Sequence, residues 1–404
     1  MARANYTTAI AIDTNNSVFH FYSMLGNDKK SITHTVKSFA AKKMDESFFE
    51  KFKEALKEFT ANTPSEAVRK VSIILPDSAV LTDTIKMPTV KGTAQMQKML
   101  DVTLGGLYHN YKDLQILAHM ADQNKQYSTI AITAVQKQIV SAIFAACAEN
   151  KLLVDTLSFA SASAVGGALS LHPKLKNASY LFLDVKDIYS RFAFVVDGKV
   201  MGYYTLPFGL EFLRKPKITQ EDMLFEHSYA ELTVLNARER AKAKKLTVLG
   251  LEADSANTQD AEQNLEMGEI DADLAPAPES ASAPAPGVKL FVRKSPRNLP
   301  KFMQREIPET EEGIAFENFR VFMKWALTLI HGNESITELG APQFVCVNLP
   351  SDLAFVIDKA NEEAEENGIS FLRLPTGDES LPIASNLELY GGLVPQYINA
   401  TNKF

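Results

Sequence analysis

Short apolar runs bounded by polar residues recur along the chain and predict buried strands. The runs are TTAIAI, VSIILP, STIAIT, SYLFLD and FVCVNL. Three further segments, SVFHFYS, RFAFVVDG and KVMGYYTL, alternate apolar and polar residues as strands with one exposed face do. Because these strands alternate with helical patterns, the sequence predicts an α/β fold with mixed sheets.

Apolar residues at helical spacing predict the helices between the strands. One stripe consists of Phe48, Phe49, Phe52, Leu56 and Phe59. A second consists of Val135, Ile139, Val140, Ile143 and Cys147. The segment EEGIAFENFRVFMKWALTLIHG predicts a third helix, and a capping box at Thr219 and Asp222 predicts one before it.

Two distant segments share one pattern, in which an apolar strand ends in Asp and a short polar turn leads into an alternating strand. The first is AIAID-TNN-SVFHFYS, with Asp13, and the second is LFLD-VKDIY-SRFAFVVDGKVMGYYTL, with Asp184. Such an internal repeat predicts a duplicated lobe. A hairpin that opens each of two α/β lobes would place both turns at the mouth of the cleft between them.

Length and charge agree with two domains and one insertion. The chain has 404 residues, more than a single core usually holds. Residues 246–288 contain nine acidic residues and no basic or aromatic ones. We expect a disordered, acidic, Ala/Pro-rich insertion at 251–287. Without residues 246–288 the net charge of -7 becomes about +2, which gives no electrostatic reason to expect nucleic-acid binding.

Several other classes of protein receive little support. No apolar run is long enough to cross a bilayer, and MARANYTTAIAID lacks a signal pattern, so we expect a cytoplasmic chain without direct membrane insertion. Cys147 and Cys346 are predicted to be buried free thiols. The histidines form no HxxxH or HExxH, and there is no GxSxG or GxxxxGK[ST]. Gly391 and Gly392 follow a helical pattern and are predicted to serve packing or helix termination.

Five segments carry a resemblance to a known family. They are ILPDSAVLTDTIKMPTV, LGGLYHNYKDLQILAHM, STIAITAVQKQIVSAIFAACAENKLLVDTLSFASASA, DGKVMGYYTLPFGLEFL and NLELYGGLVPQYI. In order and spacing the chain resembles the type IV pilus assembly PilM family of the actin-like ATPase superfamily, relatives of the cell-division protein FtsA. The resemblance implies a two-lobed, duplicated ribonuclease H-like fold with a small inserted α+β subdomain in the first lobe.

The resemblance also implies domain boundaries. The first lobe would comprise residues 1–75 and 153–175, with the inserted subdomain at 76–152. The second lobe would comprise 176–250 and 288–384. A closing helix at 385–404 would return to the first lobe.

The nucleotide motifs depart from the family pattern, in which the two hairpin turns read Asp-x-Gly so that backbone N–H groups approach phosphate, and a late strand ends in a paired glycine beside adenine. The corresponding positions here are Asp13-Thr14-Asn15-Asn16-Ser17, Asp184-Val185-Lys186-Asp187-Ile188-Tyr189-Ser190 and Asn348-Leu349-Pro350. If ATP binds at all, the resemblance places it at Asp13, Asn15, Asn16, Ser17, Asp184, Lys186, Asp187, Ser190 and Asn348. The lost glycines favour a pseudo-ATPase.

Three of these residues have alternative interpretations. Asp13 and Asp184 could position Mg²⁺ for phosphoryl transfer, or each could cap its own turn through backbone hydrogen bonds. Lys186 could contact a phosphate, but a solvated turn lysine is the favoured interpretation.

The resemblance finally implies a partner. In the family, the N-terminal cytoplasmic tail of a single-span inner-membrane protein lies in a groove between the first lobe and the inserted subdomain. The corresponding positions are Leu75, Pro76, Met87, Pro88, Val135 and Ile139. We therefore expect a scaffold of a type IV pilus or type II secretion-like platform, held at the membrane through its partner, with a secretion ATPase and self-association as further contacts. The alternatives are an active Mg-ATPase and an FtsA-like cell-division protein.

Overall fold

The structure, a computed structural model, describes the sheets and the helices that pack on them. The described residues are 6–14, 16–26, 28–39, 44–63, 70–108, 110–206, 208–216, 308–331, 342–367, 369–374, 386–399 and 403–404. The predicted insertion at 251–287, the helix expected from Thr219, and Asn15 lie outside these residues. No helix among the described residues is long and apolar enough to span a bilayer.

The apolar runs and alternating segments of the sequence all form strands. The strands are β1 (Tyr6–Asp13), β2 (Val18–Leu25), β3 (Thr33–Ser38), β4 (Lys70–Leu75), β5 (Val80–Pro88), β6 (Leu114–Gln123), β7 (Tyr127–Gln136), β8 (Leu153–Phe159), β9 (Tyr180–Val185), β10 (Ser190–Val196), β11 (Lys199–Leu206), β12 (Phe344–Asn348) and β13 (Ser370–Arg373). The helices are α1 (Glu46–Asn62), α2 (Thr93–Leu107), α3 (Lys137–Glu149), α4 (Ala160–Leu171), α5 (Leu210–Leu213), α6 (Glu311–His331), α7 (Ala354–Asn367) and α8 (Leu387–Leu393).

The same sheet topology occurs twice. In the sheet β3-β2-β1-β4-β8, the first three strands are antiparallel, and β4 and β8 run parallel to β1. In the sheet β11-β10-β9-β12-β13, the first three strands are again antiparallel, and β12 and β13 run parallel to β9. The repeat confirms the predicted two-lobed α/β architecture with mixed sheets. We call the parts built on these sheets the first lobe and the second lobe.

The inserted subdomain is a three-stranded sheet, β5-β7-β6, with α2 on one face. Its core contains Leu100 and Leu104 of α2 together with Ile130 and Ile132 of β7. Parts of β5 and β7 also contact β11 of the second lobe, where the Thr84 hydroxyl donates to the Met201 carbonyl at 3.1 Å. The subdomain therefore touches both lobes.

Helix α4 lies at the centre of the molecule, and its small residues allow close packing. Every side chain from Ala160 to Leu169 is buried. Helix α8 crosses it so closely that a Cβ on Gly391 would lie 1.8 Å from the Ser163 carbonyl oxygen. A Cβ on Gly392 would lie 2.7 Å from the side chain of Ile74 in β4. Both glycines therefore serve packing, as the sequence predicts.

Two local expectations are wrong. Strand β10 does not have an exposed face, because Phe192 and Phe194 pack in the second-lobe core while Ala193 and Val195 pack with the first-lobe core. Val135 does not belong to a helical stripe, because it lies in β7 and α3 begins only at Lys137. The stripe of α1 and the burial of the free thiols Cys147 and Cys346 are confirmed.

Candidate functional site

The first hairpin turn folds back on its own aspartate. Asp13 ends β1, and its carboxylate accepts hydrogen bonds from the Asn16 backbone N–H at 3.1 Å and the Asn16 side-chain amide at 2.8 Å. Ser17 completes the turn with a φ of 54°. Burial raises the pKa of Asp13, but hydrogen bonds with His20 and Asn16 outweigh it and hold the pKa below its ordinary value. The carboxylate is thus engaged by its own turn.

The second hairpin turn is closed by the start of α5. The N–H groups of Leu210 and Glu211 donate to the carbonyls of Lys186 and Asp187 at 2.8 and 3.0 Å. A Cβ on Gly209 would lie 2.4 Å from either carbonyl oxygen, so only glycine allows this approach. In a phosphate-binding turn, free N–H groups face the ligand. Here these helix-terminal N–H groups are used by the turn itself.

A buried arginine occupies the space between the two lobes. Arg191 Nη1, from β10, lies 3.0 Å from Asp184 Oδ2 of the second lobe and 3.0 Å from Glu388 Oε2 of α8. Its Nε lies 3.1 Å from Asp77 Oδ2, an ion-pair contact without the alignment of a hydrogen bond. The residue is 5% exposed. One guanidinium group therefore contacts three carboxylates from both lobes.

Lys186 completes this group of charges. Its Nζ lies 2.9 Å from Glu388 Oε2 and 3.3 Å from Asp184 Oδ2, and its side chain is 12% exposed. The favoured interpretation of a solvated lysine is therefore wrong, because two buried carboxylates hold the ammonium group inside. We call Asp77, Asp184, Lys186, Arg191 and Glu388 the cleft ion cluster.

Neutral groups fix the carboxylates of the cluster. At the start of α4, the Ser161 backbone N–H and hydroxyl donate to Asp77 at 2.8 and 2.9 Å. The Asn348 amide donates to Asp184 Oδ1 at 2.8 Å. The Tyr203 hydroxyl of β11 donates to the backbone carbonyl of Asp77 and so holds the main chain that carries this carboxylate. The carboxylates have their partners within the protein, which is the condition under which buried charges are tolerated.

Burial and the two cations together set the pKa values in the cluster. Burial raises the pKa of Glu388, but Arg191 and Lys186 outweigh it and hold that pKa far below its usual range. Burial lowers the pKa of Lys186, but Asp184 and Glu388 outweigh it, so the ammonium stays charged. For Asp77, burial outweighs Arg191, and its pKa is raised. The cluster is acidic overall, with three carboxylates around two cations.

No protein-family profile matches the sequence, and no curated protein matches it. A chain of the PilM–PilN type IV pilus biogenesis complex matches the structure with a TM-score of 0.52 and 11% identity, over 98% of this chain and 99% of that one. This chain has the actin-like ATPase fold.

Two weaker matches have TM-scores of 0.35. The cytoplasmic domain of EpsL, an inner-membrane component of the Vibrio cholerae type II secretion system, has 10% identity over 50% of this chain and 71% of that one. The ethanolamine utilization protein EutJ of Carboxydothermus hydrogenoformans has 9% identity over 96% and 89%. With TM-scores below 0.5, these two matches carry no argument about this chain.

The candidate nucleotide residues of the second hairpin and of β12 fall into two groups. Asp184, Lys186 and Asn348 meet in or beside the cleft ion cluster. Ser190 donates instead to the Phe208 carbonyl, and Asp187 uses its backbone carbonyl to cap α5. Within the described residues no three His, Cys, Asp or Glu side chains are grouped to hold a metal ion. A Mg²⁺ ion at Asp13 or Asp184 would have to displace existing hydrogen bonds.

The expected partner groove is not open at the predicted positions. Leu75, Val135 and Ile139 are buried in the first-lobe core, and Met87 is buried in the subdomain core. Pro76 is also buried, whereas Pro88 is exposed. These residues form the packed junction between lobe and subdomain, and the partner groove that the resemblance implies stays a prediction.

Sequence reasoning missed the centre of the site. Arg191, Glu388 and Asp77 were not among the candidates. A signal was present for two of them, because Arg191 begins the apolar run RFAFVV and Glu388 lies within the apolar segment NLELYGGL. A charged residue within a segment that is buried in the fold needs a buried partner.

Proposed function

We propose that the chain is a cytoplasmic scaffold of a type IV pilus or related type II secretion-like platform and works without hydrolysing ATP. The observation that carries the proposal is the burial of Arg191 between carboxylates of both lobes. The fold similarity to a chain of the PilM–PilN complex supports the choice of platform. The partner would be the N-terminal tail of a single-span membrane protein, which would hold the scaffold at the inner face of the membrane.

The cleft ion cluster connects the lobes in place of a ligand. In an ATP-bound actin-like fold, the phosphates and Mg²⁺ bridge the lobes. In this chain, the Arg191 guanidinium joins Asp184 of the second lobe to Asp77 and Glu388 of the first. The lobes are therefore connected by the protein's own side chains, and a fixed bridge suits a scaffold better than an exchangeable one.

The same cluster opposes a triphosphate. ATP carries several negative charges, and it would meet the carboxylates of Asp77, Asp184 and Glu388 at the place where phosphates bind in this fold. To make cations available, Arg191 and Lys186 would have to leave those carboxylates buried without partners. Breaking one buried pair in this way typically costs about 3–5 kcal/mol.

Two titrations test the proposal with the full chain. Calorimetry with Mg·ATP at millimolar concentration should give no binding heat, and tail peptides of single-span membrane proteins encoded beside this chain should bind. A Mg-dependent heat with a micromolar Kd, together with phosphate release, would support an ATPase instead. Failure of every tail peptide to bind would contradict the scaffold function even if the ATP titration is flat.

A further inference from the structure

A cavity of about 610 Å³ opens between α2 and β6 in the inserted subdomain. Helix α2 covers the side of the sheet nearer β5, where Leu100 and Leu104 are buried. The β6 side therefore remains open, and Leu114, Ile116 and Ala118 line the cavity. Ala118 is exposed. The cavity has an apolar wall and a volume that several side chains could fill.

Strand β6 is also an edge strand. Among the described residues it pairs only with β7, so its other edge has no strand partner in that part of the chain. An extended peptide can bind to such an edge through main-chain hydrogen bonds and place alternate side chains on one face. Along β6 that face would be the apolar cavity beside α2.

Two lysines lie together at one end of the cavity. Lys137, at the start of α3, donates from Nζ to the Lys112 carbonyl at 2.6 Å. Both side chains are exposed, and no carboxylate of the described residues forms an ion pair with either lysine. The one carboxylate of the lining, Asp101, accepts from the Gln97 amide at 3.1 Å. This end of the cavity complements a negative charge.

We propose that the α2–β6 cavity and the open edge of β6 bind an extended segment of a partner protein. The segment has apolar residues at alternate positions and an acidic residue that reaches Lys112 and Lys137. The site lies within the subdomain, not at its packed junction with the first lobe. The inference depends on the proposed function only in supposing that the scaffold has a peptide-binding partner.

The test uses a random peptide library displayed on phage and selected against the immobilised full chain. Enriched peptides should carry apolar residues at alternate positions and an Asp or Glu. A synthetic enriched peptide should slow hydrogen exchange in residues 114–123. Ala118→Trp, which fills the cavity from an exposed position, should weaken binding by at least about tenfold.

Further variants decide among the alternatives. The double change Lys112→Glu and Lys137→Glu should shift the selected peptides from acidic to basic, and Val102→Arg, on the exposed side of α2, should leave affinity within about twofold. Thermal unfolding of each variant confirms folding.

Absence of enrichment, or equal binding to Ala118→Trp, would overturn the proposal. A dimer of the chain that Ala118→Trp dissociates would instead assign the surface to a second copy.

These outcomes are separate from those of the proposed function. If tail peptides bind the chain but Ala118→Trp binds them as well as the wild type does, the scaffold stands and this surface is wrong. If library peptides bind at β6 but no tail peptide binds, the surface stands and the proposed platform is wrong.

Discussion

Arg191 Nη1 lies 3.0 Å from Glu388 Oε2, and this contact joins β10 of the second lobe to α8 of the first. Helix α8 in turn packs on α4 through glycine contacts too close for any other residue. The charge contact and the backbone contact hold the same helix against the centre of the molecule. The cleft is therefore an integral part of the folded core, and its charges should affect stability strongly.

Loss of the central cation should destabilise the fold. Arg191→Met keeps much of the side-chain volume but leaves Asp77, Asp184 and Glu388 without their shared partner. We expect the free energy of unfolding to fall by about 3–5 kcal/mol, measured by urea denaturation. Arg191→Lys should recover only part of this loss, because one ammonium cannot contact three carboxylates in the geometry of a guanidinium.

An exposed arginine provides the control. Arg214 Nη2 lies 2.6 Å from Asp352 Oδ2, and both side chains are more than half exposed. Arg214→Met should change the free energy of unfolding by less than about 1 kcal/mol. Similar effects of Arg191→Met and Arg214→Met would contradict the importance assigned to the cluster.

Glu388 should account for a measurable part of the loss of folding stability at low pH. Its folded pKa is depressed, because Arg191 and Lys186 outweigh burial. Its stabilisation is therefore present above the unfolded pKa of about 4.3 and is lost as pH falls below it. Glu388→Gln should flatten the decline of stability below about pH 4.3, measured by urea midpoints over acidic pH.

Asp77 should affect stability in acid in the direction opposite to Glu388. Burial raises its folded pKa, so its contribution is present below the unfolded pKa of about 3.9 and is lost as pH rises through the folded value. Asp77→Asn should therefore steepen the acid decline relative to the wild type, measured by the same urea midpoints. Identical stability profiles over pH for the wild type and Glu388→Gln would be inconsistent with the depressed pKa of Glu388.

His119 should make the protein sensitive to mild acid. It is 9% exposed, neither ring nitrogen has a hydrogen-bond partner, and burial with the nearby Lys199 charge lowers its pKa to about 4. Stability should fall as pH drops from about 6.5, where the unfolded histidine gains a proton, and by about pH 5 the loss should reach about 2 kcal/mol. The fall should shrink in His119→Leu but persist in His172→Leu, and a histidine proton titration by NMR would show the low pKa directly.

The crossing of α4 and α8 should not tolerate a methyl group. Gly391→Ala places Cβ 1.8 Å from the Ser163 carbonyl oxygen, a backbone atom that cannot rotate away. We expect a loss of about 3 kcal/mol or more. Gly106→Ala in α2, where a Cβ meets nothing within 4 Å, is the control and should be neutral or stabilising. A mild effect of Gly391→Ala in thermal unfolding would show that the helices can separate.

The sheets could be predicted from sequence because their apolar runs are local signals. The repeated Asp13 and Asp184 hairpins predicted the duplicated lobe, and the structure confirms the repeated topology. Strand β10 was misjudged because RFAFVV alternates like a half-exposed strand. Its second face is covered by the first-lobe core, and a pattern along one strand does not reveal packing from another lobe.

The candidate site was less predictable because its partners are distant in sequence. Arg191 is 7 residues from Asp184 but 197 from Glu388. Lys186 resembles a solvated turn residue until Glu388 of α8 is placed beside it. The groove residues Leu75 and Met87 resembled a binding surface because the family comparison gives position along the chain, whereas their burial depends on how lobe and subdomain pack here.

A crystal structure of the full chain grown with excess Mg²⁺ and a non-hydrolysable ATP analogue would show whether the cleft ion cluster excludes nucleotide. We expect Arg191 still to contact Asp77, Asp184 and Glu388, with no nucleotide between the lobes. An ordered triphosphate bound by the Asp13 and Asp184 turns, with the Arg191–Glu388 contact broken, would show that the cleft is a nucleotide site.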